Sequence, residues 1–517
     1  MSLPDADLWQ DATDKEMKSL SENYTWSVCK LPPGKRPIKV RWVFKIKKHT
    51  DGTIDKYKAR LVAKGYVQVP GVDFHETYAP VLRFTSFRTL MAIAAAHDLE
   101  VDHTDANNAF LNGTINEELY IELPDGYNHQ PNSNSNTGRM VGRLHKALYG
   151  LKQAPHQWNA ILIEKCKEIG FSKCISDPCV LIMYKDKFFV ILAIYVDDIL
   201  FIGNDKQLLS KTKEKLFSYF SMKDLGAIHT CLNVRIIRDR PNRTMILSQK
   251  HYLQDILERF QMSDCHPVAT PIESSNSLVA AQEQEGHTAA PYREAVGSLM
   301  YAMVATRPDL AAAVGQVSRY LHHPTDTHWS AVKRILRYIK YSLDHSLTFS
   351  GKSIHLTGYC DADWGGDLDS RRSTSGYVFF LGNSCISWRS SKQTVVALST
   401  AEAEYVAATT ATQELLFLKT FLTEIGYPIN KAITLYSDSQ SAIANTKNIQ
   451  LRHASNKHMD IKLHFLRDQV KLGNVNLEYI NTLDQVADIL TKGLPKPAFC
   501  KLANLLGLLP LRVEEGC

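Results

Sequence analysis

The sequence lacks the cysteine and histidine spacings from which structural metal sites and disulfide frameworks are built. Its ten cysteines are scattered without a Cys-x-x-Cys pair, and its nineteen histidines show no Cys–His ligand spacing. Zinc sites need such closely spaced ligands, and disulfides persist mainly in oxidising compartments. We therefore expect reduced thiols and neither a zinc centre nor a disulfide framework.

Long apolar runs are missing as well. The longest candidate, residues 188–203, is shorter than the ~20 residues that a membrane-spanning helix needs, and it contains Asp197 and Asp198. Residues 1–18 are rich in charged side chains and lack the apolar core of a secretory signal. These absences predict a soluble intracellular protein.

The sequence has only a small excess of positive charge. Its 60 Lys and Arg residues against 54 Asp and Glu residues give a net charge of +6. This mild excess is compatible with a nucleic-acid partner but does not establish one. At 517 residues the chain is too long for a single hydrophobic core, so we expect several domains.

The most informative motif that is present is the tetrapeptide YVDD at residues 195–198, between the apolar runs 188–194 and 199–202. Two ionised carboxylates at the bend of an apolar hairpin repel each other unless a cation lies against them. Mg²⁺ prefers carboxylate oxygens together with substrate phosphates. Asp197 and Asp198 therefore predict a metal site for phosphoryl transfer, and the alternative is an ordinary turn.

A third acid has to join these two if they hold a pair of metals. Asp105 is the best candidate because it follows the short strand 99–101, and Asp102 is the alternative. Two metals ~3.5–4 Å apart can clamp the attacking and leaving oxygens of an in-line phosphoryl transfer.

Two further segments near these acids carry recognisable patterns. Residues 40–48 and 56–65 are β-rich runs separated by an Asp51-Gly52 turn, which predicts a hairpin with an unusually high density of cations. Residues 148–158 predict a glycine turn that runs into a helix. This turn is either a plain helix start or a platform for an incoming base and its template.

Four acids near the carboxyl end repeat the same carboxylate pattern on a predicted strand, a helix, a strand end and a second helix. In chain order they are Asp361, Glu404, Asp438 and Asp488. Residues 399–402 form a capping box that opens the first helix. Asp363 and Glu402 are neighbours that could replace the first two acids.

Together these motifs resemble the reverse transcriptase–ribonuclease H portion of a copia-type LTR-retrotransposon polyprotein. The matching stretches follow the family's order over almost the whole chain: residues 42–65, Asp105 with 109–113, 150–158, 195–198, 222–226, 306–310, 371–377 and 399–407.

The resemblance implies a multidomain fold. We expect an α+β right-hand polymerase with fingers, palm and thumb over residues 1–270, followed by a linker and helical connection over 271–352. An α/β ribonuclease H-like domain is expected over 353–495, and a C-terminal tail over 496–517.

The resemblance also implies roles for the acids. Each of the two sites would hold two Mg²⁺ ions, for which Mn²⁺ could substitute. The metal-binding and catalytic acids would be Asp105, Asp197 and Asp198 in the first site, and Asp361, Glu404, Asp438 and Asp488 in the second.

Substrate contacts are implied as well. Lys58 and Arg60 would contact the triphosphate, and Lys152 would contact phosphate. The alternative cations to the first two are Lys45, Lys47 and Lys48. Phe110 would lie under the sugar and exclude ribonucleotides by clashing with the 2′-hydroxyl, the group that separates RNA from DNA.

The activity implied is an RNA-directed and DNA-directed DNA polymerase with ribonuclease H activity, which copies retrotransposon RNA into DNA and degrades the RNA of RNA–DNA hybrids. The expected partners are an RNA template, a DNA primer, the RNA–DNA hybrid and deoxynucleoside triphosphates, with a homodimer and other polyprotein products in addition. The expected location is the cytoplasm, in a virus-like particle, or the nucleus, without membrane attachment. The alternatives are an inactive or domesticated remnant that binds nucleic acid without polymerising, and a nuclease without polymerase activity.

Some positions depart from the family pattern. The family usually carries Leu-Gly shortly after residues 223–226, where this chain has Leu232 and Asn233. Because Asn tolerates positive φ better than most residues, we expect this primer-gripping turn to be kept. Other departures are Asn107, Asn108 and His156. No protease, integrase or zinc-knuckle motif is present, so we expect a fragment of a polyprotein or a truncated genomic copy.

Overall fold

The computed structural model describes residues 5–48, 53–125, 139–273, 278–282, 285–447 and 457–511. The predicted Asp51-Gly52 turn lies outside these residues. The chain divides into two compact units: the first comprises Met1–Leu82, Asp102–Lys173 and Pro178–Gly226, and the second comprises Arg83–Val101, Cys174–Asp177 and Ala227–Cys517.

The first half of the chain alternates helices and strands. Its helices are α1 (Ala6–Glu22), α2 (Phe84–His97), α3 (Ala154–Ile169), α4 (Lys206–Tyr219) and α5 (Lys250–Arg259). Its strands are β1 (Trp26–Lys30), β2 (Val40–Lys48), β3 (Ile54–Ala63), β4 (Glu100–Ala106), β5 (Tyr120–Ile121), β6 (Met140–Leu144), β7 (Ser172–Lys173), β8 (Val180–Lys185), β9 (Phe188–Tyr195), β10 (Asp198–Gly203), β11 (Met222–Ala227), β12 (Thr230–Cys231), β13 (Val234–Asp239) and β14 (Thr244–Ser248).

The second half begins with a run of helices and ends in a mixed α/β arrangement. Its helices are α6 (Tyr292–Ala305), α7 (Ala311–Val317), α8 (Asp326–Tyr341), α9 (Thr400–Glu424), α10 (Gln440–Lys447), α11 (Lys457–Lys471) and α12 (Lys496–Leu505). Its strands are β15 (His345–Phe349), β16 (Leu356–Asp363), β17 (Thr374–Leu381), β18 (Ser384–Lys392), β19 (Ile433–Ser437), β20 (Val475–Tyr479) and β21 (Leu508–Pro510).

A six-stranded sheet with the order β11-β4-β10-β9-β8-β7 dominates the first unit. Its central hairpin, β9 and β10, consists of the two apolar runs that flank the YVDD motif. Both runs are largely buried because α3 and α4 pack beside them, with Leu162 and Leu216 in the same core cluster as Leu192 and Phe201. The apolar runs thus hold the acidic turn at the end of a rigid hairpin.

The cation-rich hairpin β2–β3 is covered on one face by α1. Trp9 packs edge-to-face on Phe44 and Tyr57, with ring centres 5.1 and 4.6 Å apart. Glu16 Oε1 accepts a hydrogen bond from the backbone N–H of Leu61 at 3.3 Å. The predicted hairpin is confirmed, and α1 holds it in place through apolar and polar contacts.

In the second unit, a five-stranded antiparallel sheet has the order β12-β13-β14-β15-β21. β15, from the predicted connection, pairs with β14, and β21, from the predicted tail, pairs with β15. These segments are therefore joined to the same sheet as the strands that precede α5. The boundaries assigned at 270, 352 and 495 stay predictions.

The helices that precede β15 enclose a buried ion pair. Arg307 is 1% exposed, and its Nη2 lies 2.6 Å from Asp309 Oδ2. The Tyr338 hydroxyl donates to the same carboxylate oxygen at 2.6 Å, and Arg307 Nη2 also donates to Ser342 Oγ at 2.6 Å. A buried charge that is paired and hydrogen-bonded on several sides can be retained in a core. This network gives the motif at residues 306–310 a structural role.

The last sheet has the order β18-β17-β16-β19-β20. Its first three strands are antiparallel, and β19 and β20 run parallel to β16. α9 packs against β16 and β17, and every residue of β17 is buried. Among the described residues, no helix is both long and apolar enough to cross a bilayer.

Candidate active sites

The turn between β9 and β10 consists of Val196 and Asp197, followed directly by Asp198. Val196 has a φ of +58°, a left-handed conformation that is uncommon and strained for a β-branched residue. Two hydrogen bonds fix the turn: Trp158 Nε1 donates to the Val196 carbonyl at 2.7 Å, and the N–H of Ala106 donates to the Asp197 carbonyl at 2.8 Å. The acidic motif is thus held by α3 and by β4.

The bond to Ala106 places Asp105 next to the turn. Burial raises the pKa of Asp197, and the negative charges of Asp198 and Asp105 raise it further. His103 Nε2 lies 2.7 Å from Asp198 Oδ1, so this carboxylate already has one polar partner from β4. The structure therefore places the three predicted acids of the first site near one another, together with His103, for which no role was expected from the sequence, but among the described residues only the acids of the second site have oxygens within 4.8 Å of one another.

Asp102, the alternative to Asp105, is engaged elsewhere. Its carboxylate lies 2.7 Å from Lys213 Nζ, which also binds Asp224 at 2.8 Å. Successive side chains of a strand point to opposite faces, so Asp102 and Asp105 project from opposite faces of β4. The geometry favours Asp105.

One face of the β2–β3 hairpin concentrates positive charge. The register places Lys45 opposite Lys58 and Lys47 opposite Lys56. Like charges directly opposite each other destabilise a pair of strands. A polyanion bound to this face would relieve the repulsion.

Lys58 and Arg60 are half-buried on this face, and both interact electrostatically with acids of the first site. Burial lowers the pKa of Lys58 to about 8, and the charges of Arg60 and Lys47 act in the same direction, while Asp105 opposes them. The buried Nε of Arg60 has no hydrogen-bond partner among the described residues. Its guanidinium lies 4.6 Å from the ring centre of Tyr149. A guanidinium beside a lysine whose pKa is lowered by burial and neighbouring cations is well suited to bind phosphate.

Phe110 lies in a short 3₁₀ turn, Ala109–Asn112, which begins three residues after the end of β4. Its ring contacts Tyr149 edge-to-face, with ring centres 4.9 Å apart. Burial raises the pKa of Tyr149 to about 12, so its hydroxyl stays protonated and can donate a hydrogen bond. Tyr149 therefore links Phe110 to Arg60. No role for Tyr149 was expected from the sequence, although it directly precedes the glycine of a motif already identified.

Gly150 fixes the position of Tyr149. It has a φ of +90°, and a Cβ at this position would lie 2.1 Å from the carbonyl oxygen of Ala63 in β3. The N–H of Ala63 donates to the Tyr149 carbonyl at 2.7 Å. Only glycine fits so close to the hairpin, so the glycine turn and the cationic strand are joined.

The other predicted phosphate contacts are less engaged with the acids. Lys152 is exposed, with its ammonium 4.8 Å from the ring centre of Phe74. Lys45 and Lys47 are exposed on the hairpin, and the side chain of Lys48 lies outside the described residues. Lys58 and Arg60 remain the stronger candidates.

The second acidic site lies at the carboxyl ends of two parallel strands, β16 and β19. Asp361 is close to the end of β16, Asp438 directly follows β19, and Asp488 lies in the 3₁₀ helix Val486–Leu490. Oxygen atoms of these three carboxylates all lie within 4.8 Å of one another. Neighbouring parallel strands end at the same edge of a sheet, which explains why residues so distant in the chain meet.

Glu404 joins them from α9. Its Oε1 accepts a hydrogen bond from the N–H of Ala362 at 3.1 Å, and its buried Oε2 has no partner among the described residues. Burial raises the pKa of Glu404 to about 9, with Asp361 and Asp438 adding to the effect. A fourth carboxylate therefore lies beside Asp361, next to the cluster.

Neighbouring polar groups complete this site. Lys492 Nζ lies 3.0 Å from Asp488 and 3.9 Å from Asp361, and the Thr491 hydroxyl donates to Asp361. Burial raises the pKa of Asp488 to about 7, Asp361 adds to this, and Lys492 opposes it. The Thr482 hydroxyl donates to Asp438 at 2.8 Å. Lys492 follows Asp488 by four residues, and this spacing could have identified it from the sequence.

The alternatives to the first two acids differ in their contacts. Glu402 Oε2 accepts a hydrogen bond from the N–H of Leu398 at 2.7 Å, and Ser399 Oγ accepts one from the N–H of Glu402 at 3.2 Å. Glu402 therefore serves the start of α9. Asp363 lies two residues beyond Asp361 on the same face of β16, and burial raises its pKa.

The turn at Leu232 and Asn233, where the family usually has Leu-Gly, keeps a tight hairpin geometry. Cys231 pairs with Val234 across it, and both Leu232 and Asn233 have positive φ, +52° and +53°. Asn233 adopts the conformation expected from the sequence. The Tyr301 hydroxyl donates to the Leu232 carbonyl and holds the turn.

Two other departures from the family pattern have defined contacts. Asn108 has a φ of +49°, and its side-chain amide donates to Ser19 Oγ at 2.7 Å. His156 Nδ1 lies 2.7 Å from the Tyr78 carbonyl. Both residues therefore attach the neighbourhood of the first site to other segments of the same unit.

Both acidic sites suit hard divalent cations. Their candidate ligands are all carboxylate oxygens, the donors that Mg²⁺ prefers. Mutual repulsion among the acids contributes to the raised pKa of Asp197 and of Glu404, and a bound cation would relieve it. The residues present therefore fit the metals that the resemblance implies.

Comparisons with known proteins identify the family. Residues 23–274 match the model of the family described as reverse transcriptase (RNA-dependent DNA polymerase). The chain is 44% identical over 515 residues to the retrovirus-related Pol polyprotein from transposon TNT 1-94 of Nicotiana tabacum, covering 98% of this chain and 38% of the relative. It is 30% identical over 313 residues to the putative transposon Ty5-1 protein of Saccharomyces cerevisiae, covering 60% of this chain and all of the relative.

A solved structure of a foamy viral protease–reverse transcriptase in complex with double-stranded DNA is similar at 12% identity with a TM-score of 0.44, covering 93% of this chain and 82% of that one. The chain spans 34–38% of the length of the longer transposon polyproteins it matches. The predicted fold class is confirmed as an α+β part that matches the reverse transcriptase family, followed by an α/β part with a mixed five-stranded sheet. The chain therefore belongs to the retrovirus-related Pol polyproteins of copia-type transposons and carries their reverse transcriptase domain.

Proposed function

We propose that the chain is an RNA- and DNA-directed DNA polymerase that also cleaves the RNA strand of RNA–DNA hybrids. The observation that carries the proposal is the pair of carboxylate clusters, each built on a sheet of its own. In the first unit the charges of Asp105 and Asp198 act on Asp197, and in the second unit carboxylate oxygens of Asp361, Asp438 and Asp488 lie within 4.8 Å of one another. Such clusters are suited to two-metal phosphoryl transfer.

At the polymerase site, the residues of the chain bind and orient the nucleotide. Arg60 would contact the triphosphate through its guanidinium, with Lys58 beside it. Phe110 and Tyr149 form an aromatic wall where the sugar would lie. Two bound Mg²⁺ ions would activate the primer 3′-hydroxyl and neutralise the charge that develops on the phosphates.

At the ribonuclease H-like site, four acids converge from strand, helix and 3₁₀ elements. Glu404 and Asp438 would act with Asp361 and Asp488 to hold the metals that direct water at a phosphodiester. Lys492 neutralises part of the cluster's charge before a metal arrives. The substrate would be the RNA–DNA hybrid made at the first site.

Primer extension on poly(rA)/oligo(dT) with Mg²⁺ tests the polymerase. Wild type should extend the primer, and Asp197→Asn should not, because the variant loses a carboxylate ligand while keeping its shape. The absence of Mg²⁺-dependent extension by wild type would overturn this part of the proposal and favour the inactive-remnant alternative.

Cleavage of an RNA–DNA hybrid tests the nuclease independently. Asp438→Asn should abolish cleavage while extension persists. If this variant cleaves like wild type, the assignment of Asp438 is wrong. Cleavage without extension by wild type would leave the nuclease alternative standing.

A further inference from the structure

The turn between β9 and β10 is strained at Val196, and the side chain of Trp158 holds it in place. Val196 adopts a left-handed backbone conformation at φ +58°. Its branched side chain makes that conformation unfavourable, and such strain persists only where the surroundings enforce it. The turn carries Asp197 and leads into Asp198, so any relaxation of Val196 would move both acids.

Two hydrogen bonds oppose this relaxation. One is the bond from the N–H of Ala106 to the Asp197 carbonyl, which belongs to the backbone and which almost any sequence could form. The other is the bond from Trp158 Nε1 to the Val196 carbonyl at 2.7 Å, which needs a side-chain donor from α3. Trp158 is 1% exposed, and its ring packs edge-to-face on Phe220, so the indole has one fixed orientation.

We propose that Trp158 is a positioning residue: its indole N–H holds the Val196 carbonyl and thereby keeps the turn in the conformation that presents Asp197 and Asp198. This inference rests on the proposed polymerase function. It also accounts for the tryptophan at the end of the motif at residues 150–158, to which the substrate contacts assigned above give no role.

Trp158→Phe tests the role because phenylalanine keeps an aromatic ring in the core but cannot donate a hydrogen bond. A shift of catalytic groups by about 1 Å costs roughly 100-fold in rate, so we expect kcat for primer extension to fall by about tenfold to 100-fold. The KM for dTTP should change little, because Arg60 and Lys58 are untouched. Replacing Trp158 by benzothienylalanine, which keeps the bicyclic shape and lacks the N–H, covers the case in which Trp158→Phe does not fold.

The decisive arm is rescue. Glycine adopts left-handed conformations without steric cost, so Val196→Gly removes the strain that the indole opposes. In the Val196→Gly background, Trp158→Phe should therefore lower kcat much less than it does in wild type. A tryptophan that acts only by filling the core would show no such difference, and this result would overturn the proposal.

A second readout needs neither metal nor substrate. Without Mg²⁺, the amide of Ala106 should exchange with solvent faster in Trp158→Phe than in wild type, and the double variant should restore slow exchange. Wild type that extends no primer would refute the polymerase function, and exchange at Ala106 would then decide the positioning role alone. Unchanged exchange and unchanged kcat in Trp158→Phe would overturn it.

Trp388→Phe is the matched control. Trp388 Nε1 also donates to a backbone carbonyl, that of Met303 at 3.0 Å, in the second unit. Its loss should leave kcat for extension and exchange at Ala106 as in wild type. An equal loss of kcat in this variant would show that general destabilisation explains the result, and the proposal would fail.

Discussion

The two acidic sites of this chain solve the same electrostatic problem in different ways. In the second unit, the carboxylates of Asp361, Asp438 and Asp488 lie within 4.8 Å of one another, and the buried carboxylate of Glu404 from α9 lies against Asp361. In the first unit, the acids are half-buried and Asp198 is already engaged by His103. One cluster is nearly complete within the protein, whereas the other is open.

The cations near the two sites differ in how closely they contact the acids. Lys492 lies within the closed cluster and contacts two of its acids directly. Arg60 and Lys58 form no ion pair with the open acids among the described residues, although their charges act on Asp197 and Asp105. Mg²⁺ is commonly bound through one or two carboxylates together with substrate phosphates. We infer that the polymerase site is completed by its nucleotide, while the ribonuclease H-like site binds metal with protein ligands alone.

The largest expected effect separates the two sites. Glu404→Gln should lower hybrid cleavage by on the order of 10³-fold, because loss of a metal ligand forfeits several kcal/mol of transition-state stabilisation. Primer extension should stay at the wild-type rate. Asp105→Asn should show the converse pattern.

The matched control for this pair is Glu402→Gln, two residues from Glu404 and engaged at the start of α9. It should cleave hybrid at nearly the wild-type rate. Cleavage lost in Glu402→Gln and kept in Glu404→Gln would show that the two glutamates have been assigned in the wrong order.

The next effect tests the closed and open sites directly. Mg²⁺ without nucleic acid should slow amide exchange in β16, since a ligand at 100 times its Kd stabilises the folded state by about 2.7 kcal/mol. Exchange in β10 should respond only when primer–template and dNTP are added. Asp488→Asn should weaken the first response and leave the second intact. Equal protection of both strands by Mg²⁺ alone would contradict the comparison.

The sequence predicted the acids of both sites better than it predicted their surroundings. Asp361 and Asp438 could be found because the first lies near the end of a recognisable strand, the second directly follows one, and both fit the order of a known family. His103 could not be assigned, because its partner Asp198 lies 95 residues away and the contact depends on strand pairing. The strain at Val196 was also invisible, since a β-branched residue ordinarily favours extended structure.

A third prediction concerns the cations of the open site. Arg60→Gln should lower kcat/KM for dNTP by about tenfold to 100-fold, because hydrogen bonds to charged groups are worth about 1.5–3 kcal/mol. Hybrid cleavage should not change. Arg60→Lys should recover part of the loss, since it keeps the charge but not the forked geometry.

Lys47→Gln is the control for this arm, because Lys47 lies exposed on the same face of the hairpin. Exposed charges contribute little, so the effect should be several-fold smaller than that of Arg60→Gln. A larger loss in Lys47→Gln would move the triphosphate contact to the alternative cations of β2.

The smallest effect is a pH dependence confined to the closed cluster. Burial and neighbouring acids raise the pKa of Glu404 to about 9 and that of Asp488 to about 7. The folded state therefore holds more protons than the unfolded chain above pH 4–5, so metal-free stability should fall as pH rises towards 9.

Urea unfolding of wild type and Glu404→Gln across this pH range measures the slope. Glutamine cannot titrate, so the variant should lose stability less steeply than wild type as pH rises. Saturating Mg²⁺ should also flatten the wild-type slope, because metal binding requires the deprotonated acids and releases their protons. A wild-type slope that matches the variant and ignores Mg²⁺ would mean that Lys492 and the neighbouring hydroxyls already neutralise the cluster, and the closed site would then need no metal for its charge balance.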